Sequence, residues 1–332
     1  MAILVSKLSG QNDEAYKVID TTLSAVMRDI DNEKNKDDEL VKALYNVKKS
    51  DKFAEKAGSV TEFGDFEIVG EGDKDVMDDI QSGFSKLIQH LPFSKGYSIT
   101  AEMIEDSLYE DMKDIAAQYI RAYKRSRAKF ASNALISEGA TFLWGSKSID
   151  KTTGDGVGLF NTAHPGKKSG VSTQSNVFTN AFGTDSSMLI RLANIGRNYQ
   201  NQSGNEMGYE YDTIVIPSNV PTLEDTIKKI IRSDGLIGSP NNDVNTQKGL
   251  WKLVVDHRWS VASGAPFIVM SSEANADLQG SVFYDRLGLK INSQVDLHTQ
   301  NLEYNGRCRM SAGFRTWTPF ILGGASAGTT LS

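Results

Sequence analysis

The 332 residues hold one cysteine, Cys308, so no disulfide can form within the chain, as expected of a reducing compartment. Long apolar runs are missing too. None approaches the roughly 20 residues of a membrane-spanning helix. The apolar start of "MAILVSKLSGQND" is too brief for the core of a signal peptide. A soluble chain is expected, made in the cytoplasm and without membrane contact. Positive charge is not in excess: 36 Lys and Arg face 42 Asp and Glu, for a net −6, which argues against a dedicated nucleic-acid-binding protein. The four histidines, His90, His164, His257 and His298, are scattered without metal-ligand spacing, and one cysteine cannot complete a zinc set. P-loop, H-E-x-x-H and G-x-S-x-G patterns are absent. No catalytic residue, metal ligand or cofactor is therefore predicted, and the chain is not expected to be an enzyme.

What is present is ordinary for a globular protein. Apolar residues make up 39% and charged residues 23%, and the length suggests about two domains with a core large enough to need no staples. In residues 1–59, Tyr16, Ile19, Leu23, Val26 and Ile30 share helical spacing. The charge-rich "NEKNKDDELVKALYNVKKSDK" that follows reads as a solvated face or mobile arm. Residues 60–97 contain two strand-like runs, "VTEFGDFEIVG" and "IQSGFSKLIQHLPFSKGYSI", around an acidic turn, and predict a long β-hairpin. An EF-hand loop starting at Asp73 fails, because Met77 and Asp78 stand where an oxygen ligand and a glycine are required.

Thr100 is a candidate N-cap for the strongest periodic segment. Ile104, Leu108, Met112, Ile115, Tyr119 and Tyr123 recur every three or four residues, and the pattern predicts one uninterrupted helix to about Ser137, roughly 50–55 Å long. Its "RAYKRSRAK" stretch reads as a solvated charged face; the alternative is a nucleic-acid contact. A second amphipathic helix begins near Asp185, with Met188, Leu189, Leu192, Ile195 and Tyr199 on one face. "YDTIVIPSNV" reads as a buried strand, "TLEDTIKKIIRSDG" as a capped helix, and "GLWKLVVDHRWS" and "APFIVMSSE" as buried strands before a mostly β C-terminal part. The tail "GGASAGTTLS" is small and polar, hence a surface segment.

"GDGVGLFNTAHPGKKSG" (154–170) needs a strand before it and a helix after it to be a dinucleotide loop; a helical pattern precedes it, and Pro165 follows His164. Asp155 with His164, or Cys308 with a distant histidine, would be the catalytic readings. The bland readings are a hydrogen-bonded peg in a loop and a small buried hydrophobe.

The order of these elements, with "FSKGYSITAEMIEDSLYEDM", "GVGLFNTAHP", "TIVIPSNV" and "RTWTPFILGG", resembles the major capsid proteins of tailed bacteriophages, of the Hong Kong 97-type fold. "GVGLFNTAHP" is also similar to a loop of Mu-type major head subunits. The resemblance implies an α+β chain with an N-terminal arm (1–59), an E-loop hairpin (60–97) and a P-domain with its spine helix (98–216). It further implies an A-domain (217–300) and return strands with a C-terminal tail (301–332). In that frame Gly156, Gly158, His164, Pro165 and Gly166 fix a structural loop, and Phe63, Phe66, Ile68 and Phe84 form an intersubunit hairpin. The implied function is self-assembly into hexamers and pentamers of an icosahedral shell enclosing double-stranded DNA. The implied partners are further copies of the chain, scaffold, portal and decoration proteins, and DNA held by non-specific contact. The implied location is the virion, after assembly in the host cytoplasm. Some members crosslink through a hairpin lysine; Lys86 and Lys95 are present, and no crosslink is predicted. The rival readings are an encapsulin-like nanocompartment shell and a hydrolase using His164 or Cys308.

Overall fold

In the computed structural model the described residues are 4–5, 14–61, 63, 66, 68–72, 74, 77, 82–106, 108–137, 139–235 and 243–324. Strand β1 (Leu4–Val5) precedes helices α1 (Glu14–Asn32) and α2 (Lys36–Leu44). Strands β2 (Asn46–Lys49), β3 (Ala54–Val60), β4 (Ser82–Gln89) and β5 (Leu91–Ile99) follow, then helices α3 (Ala101–Glu105) and α4 (Tyr109–Ile136). Next come β6 (Thr141–Trp144), β7 (Lys147–Asp150), α5 (Ser187–Arg197), β8 (Thr213–Pro217), α6 (Pro221–Arg232) and β9 (Lys252–Asp256). The chain continues through β10 (Phe267–Met270), α7 (Ser272–Asp277), β11 (Ser281–Val295), β12 (Leu302–Phe314) and β13 (Phe320–Gly323). Helix and strand are nearly equal, at 30% and 31%, as expected of an α+β chain.

Two compact units form from discontinuous segments. The first takes residues 1–55, 89–131 and 283–312, and the second takes 56–88, 132–282 and 313–332. The boundary at 131/132 falls inside the 98–216 segment.

In the first unit a five-stranded sheet runs β1-β11-β12-β5, with β2 also on β11. Alternation along β12 turns Leu302, Tyr304, Cys308 and Met310 inward. Against that face pack Ile19, Leu23 and Met27 of α1, and Met112, Ala116, Tyr119 and Ile120 of α4. The N-terminal segment carries two helices, and they bury an apolar face rather than standing solvated, with Ile19 and Leu23 in the core as expected and Met27 there in place of Val26. Asn35 caps α2 by accepting from the Asp37 N–H at 3.0 Å.

The spine is interrupted. Thr100 does cap α3, its Oγ1 accepting from the Met103 N–H at 3.3 Å. The helix then breaks after Glu105, and α4 restarts at Tyr109 for 28 residues, about 42 Å. Asp106 and Ser107, whose side chains compete for backbone partners, are poor residues for a helix interior. Leu108 therefore lies in the break and is 41% exposed. Ile115 is only half-buried; Ala116 and Ile120 take the core positions instead.

At Gly306 α4 and the sheet are in close contact. A Cβ there would strike the Tyr119 hydroxyl, which donates to the Lys95 carbonyl at 2.5 Å, and would sit 3.0 Å from Leu289 Cδ1. Gly306→Ala is expected to cost about 1–3 kcal/mol by overpacking. Urea denaturation reads this, and adding Tyr119→Phe should recover part of the loss.

The second unit holds a four-stranded sheet ordered β13-β10-β8-β9. β8, β10 and β13 are buried along their whole length, and β8 pairs parallel to β9, which explains their unbroken apolar runs. α6 opens with Pro221 in its first turn and buries Leu223, Ile227, Ile230 and Ile231.

The expected hairpin over 60–97 is corrected. The pair is β3 with β4, so the first strand lies earlier, at 54–60, and none of the described residues between 61 and 81 is in a strand. The second run splits at His90: β5 belongs to the other sheet, where Pro92 pairs with Arg309 on an edge strand that tolerates its missing N–H. The hairpin β6–β7 was not foreseen. The acids Asp73, Asp75, Asp78 and Asp79 and the tail beyond Gly324 lie outside the described residues.

Candidate functional site

His164 sits at the centre of a closed polar cluster in the second unit. Its backbone exchanges both hydrogen bonds with Gln174, at 2.7 and 3.0 Å. The ring's Nδ1 lies 2.7 Å from Asp155 Oδ2, and Nε2 lies 3.2 Å from Asn176 Oδ1. Trp317 stacks on the ring, with centroids 4.4 Å apart and planes at 14°. The other Asp155 oxygen accepts from the Thr153 hydroxyl and, at 3.2 Å, from the Val157 N–H. Asn176 extends the cluster, accepting from the Asn161 N–H at 2.9 Å and donating to the carbonyls of Leu159 at 2.8 Å and Phe320 at 3.1 Å. Both ring nitrogens and both carboxylate oxygens are thus engaged by the chain itself. A cavity of ≈ 130 Å³ opens beside the loop, lined by Asp155, Pro165, Gln174, Gln202, Arg315 and Trp317 among others.

The three loop glycines act for different reasons. Gly156 has φ +87°, which favours glycine. A Cβ at Gly158 would come 2.5 Å from the Gly139 carbonyl oxygen, and one at Gly166 would overlap Val171. Only Gly156 is needed for its backbone conformation; the other two are needed for space.

Cys308 faces inward on β12, and burial pushes its thiol up to about 11, the opposite of an activated nucleophile. His90 is also buried, with Nδ1 2.8 Å from Ser311 Oγ and Nε2 3.1 Å from Ser50 Oγ. Burial holds its pKa below the ordinary 6.5. A histidine kept neutral in the fold takes its proton first in the unfolded chain. Its contribution is complete above pH 6.5 and is lost as pH falls from there through the folded-state value. The Tm is expected to fall as the pH drops below 6.5, and His90→Asn should flatten that slope. An unchanged slope in the variant would assign the effect elsewhere.

The "RAYKRSRAK" stretch is not wholly solvated. Arg121, Arg125 and Lys129 are exposed, but Lys124 and Arg127 are 2% and 8% exposed. Arg127 Nη2 donates to Asp285 Oδ2 at 2.8 Å and Nη1 donates to Asp38 Oδ1 at 3.1 Å. Burial alone would lower the guanidinium's pKa; Asp285, Tyr123 and Asp38 together outweigh it and raise it. Lys124 Nζ donates to the carbonyls of Ile30, Asp31 and Glu33, at 2.9, 2.8 and 3.0 Å, capping the C-terminal end of α1 with a cation.

Of the four apolar hairpin residues, the structure separates one from the rest. Phe84 is half-buried, with Lys167 Nζ 5.4 Å over its ring. Phe63 is exposed, and Phe66 and Ile68 are as open as in an extended chain, at 106% and 104%. Among the described residues no group of three His, Cys, Asp or Glu is placed to hold a metal, and no helix is long and apolar enough to cross a membrane.

No family model and no curated protein matches the sequence. Solved structures do match the fold. A chain of Mycobacterium phage Patience aligns with 100% of this chain and 95% of its own length, at 12% identity and a TM-score of 0.56. The capsid of the native GTA particle covers 86% of this chain and 90% of that one, at 11% identity and TM-score 0.54. The capsid of Myoviridae phage XM1 covers 84% and 88%, at 13% identity and TM-score 0.52. The chain has the Hong Kong 97-type fold of tailed-phage capsid proteins.

Proposed function

We propose that this chain is a major capsid protein, a shell subunit that assembles with copies of itself into the hexamers and pentamers of an icosahedral head around double-stranded DNA. The observation that carries the reading is the correspondence in fold along the whole chain, 100% of it against 95% of a phage chain. The exposed Phe66 and Ile68 support it, because large apolar side chains left fully open in one subunit are what a neighbouring subunit covers. In this reading residues 61–81 form the intersubunit arm, and the His164 cluster is a structural peg without chemistry. Scaffold, portal and decoration proteins act as partners, DNA is held by non-specific contact, and assembly in the host cytoplasm ends in the virion.

Expression with any required scaffold, followed by sedimentation and electron microscopy, tests this. Closed shells, or rings of five and six, are expected, with nuclease-protected DNA in filled particles. A strictly monomeric chain under every assembly condition tried would overturn the reading. Shells that hold a protein cargo and never DNA would overturn its genome part.

A further inference from the structure

Four buried oxygens without a hydrogen-bond partner gather in the first unit, all on the helix-covered face of its sheet. Tyr304 of β12 pairs with Tyr97 of β5, and their rings stack with centroids 4.9 Å apart and planes at 10°. Both hydroxyls are buried and neither makes a hydrogen bond. Tyr119, beside Tyr97, shows the contrast, since its hydroxyl donates to the Lys95 carbonyl. Ser293 of β11 faces the same way as Ile291, and its buried Oγ is unpartnered as well. The turn after β11 is closed by the Asp296 N–H, which donates to the Asn301 carbonyl at 3.0 Å. Counting back along both strands from that pair sets Ser293 opposite Tyr304. Three hydroxyls thus stand in a row across β11, β12 and β5.

Helix α1 lies over that face and supplies the fourth oxygen. Its Ile19 and Leu23 share the core with Tyr304, and Asp20 beside them is only 7% exposed, with Oδ1 unpartnered. Burial holds both phenols well above the ordinary pKa, and the Asp20 carboxylate pushes each further up. No lysine or arginine acts on either phenol, and no ion pair reaches Asp20 among the described residues. The buried cations of this unit are committed elsewhere, Lys124 to the end of α1 and Arg127 to Asp38 and Asp285. A buried charge is paired or coordinates a metal, and here the chain offers no pair.

We propose that Asp20, Tyr97, Tyr304 and Ser293 form a binding site for an alkali-metal ion, sodium or potassium, between α1 and the sheet. One carboxylate with three neutral oxygens matches a single positive charge, and a hard cation takes oxygen ligands. A divalent ion would call for further carboxylates, and among the described residues no group of three His, Cys, Asp or Glu is placed to hold one. The ion answers the carboxylate's charge and the hydroxyls' lone pairs at once, and so fastens α1 to β5, β11 and β12. The site lies within one subunit, and it stands or falls independently of shell assembly.

Thermal melting of the full chain in sodium, potassium and tetramethylammonium chloride, at equal ionic strength, tests this. The Tm is expected about 3 °C higher in sodium or potassium than in tetramethylammonium, with a gain that saturates as the ion concentration rises. Asp20→Asn should abolish the difference. Tyr304→Phe and Ser293→Ala keep the carboxylate and should each weaken it, and they carry the decision if Asp20→Asn does not fold. Equal Tm in the three salts overturns the proposal; a Tyr304→Phe chain that is then less stable in all of them would assign the oxygens to a bridging water. A difference that persists in Asp20→Asn would belong to the protein surface and overturns it as well. So does a Tyr304→Phe chain that is more stable in every salt, because the hydroxyl would then hold nothing.

Discussion

Arg127→Ala is expected to lower the free energy of unfolding by about 3–5 kcal/mol, the cost of stranding a buried charge. Arg127 lies between Asp285, whose side chain is 4% exposed, and Asp38 of α2, so one guanidinium joins α4, β11 and the N-terminal segment. Its carbon also sits 4.8 Å over the Phe283 ring, so truncation removes packing as well as charge. Without the arginine, Asp285 keeps its desolvation and loses its partner. Replacing Arg127 by Met together with Asp285→Leu should cost far less than the single change, because no charge is then left unpaired. Denaturant unfolding of the two variants beside wild type decides this. A single-variant cost below about 1 kcal/mol would place the pair among weak surface bridges despite its burial.

These partners also show what a sequence can disclose. α6 was legible because its signals are local: apolar residues four apart at Leu223, Ile227 and Ile231, and Gly235 just beyond the last turn. β8 and β10 were legible because strands buried on both faces read as unbroken apolar runs. Lys124 and Arg127 looked like solvent residues because their partners stand far away in sequence: Lys124's acceptors at Ile30 to Glu33, and Arg127's at Asp38 and Asp285. The break after Glu105 was hidden by the apolar stripe that runs across it; Leu108 fits the stripe but not the helix. At the His164 loop only Asp155 was near enough to notice. Asn176 and Trp317, which close the ring's other edge and its face, carry no local signal. The alternation in 60–70 has the composition of a strand, but none of the described residues from 61 to 70 is in one, so its pattern misplaced the hairpin by several residues.

That misplacement decides how the arm can be removed cleanly. A deletion reaching Pro92 would cut β5 and its pairing with Arg309, and the loss of assembly would then follow from a damaged sheet. Replacing residues 62–80 by a short Gly-Ser linker spares β3 and β4. Their ends are close enough to bridge, since the Ser59 hydroxyl donates to the Phe84 carbonyl at 2.9 Å. Phe66, Ile68 and Met77 bury little within the subunit, so the Tm should stay within a few degrees of wild type. Among the described residues the change removes the Asn205 side chain's donation to the Phe63 carbonyl at 2.9 Å, an exposed bond. Assembly should fail. Covering a large apolar side chain is worth about 1.5–3 kcal/mol, and the deletion removes several such contacts from every subunit of a shell, where weak contacts act together. Circular dichroism and thermal melting read the fold; sedimentation and electron microscopy read the shells. Closed shells of normal stability from the deleted chain would mean that residues 62–80 are not the intersubunit arm. A chain that no longer folds would mean that the segment belongs to the subunit's core, against the exposure of Phe66 and Ile68.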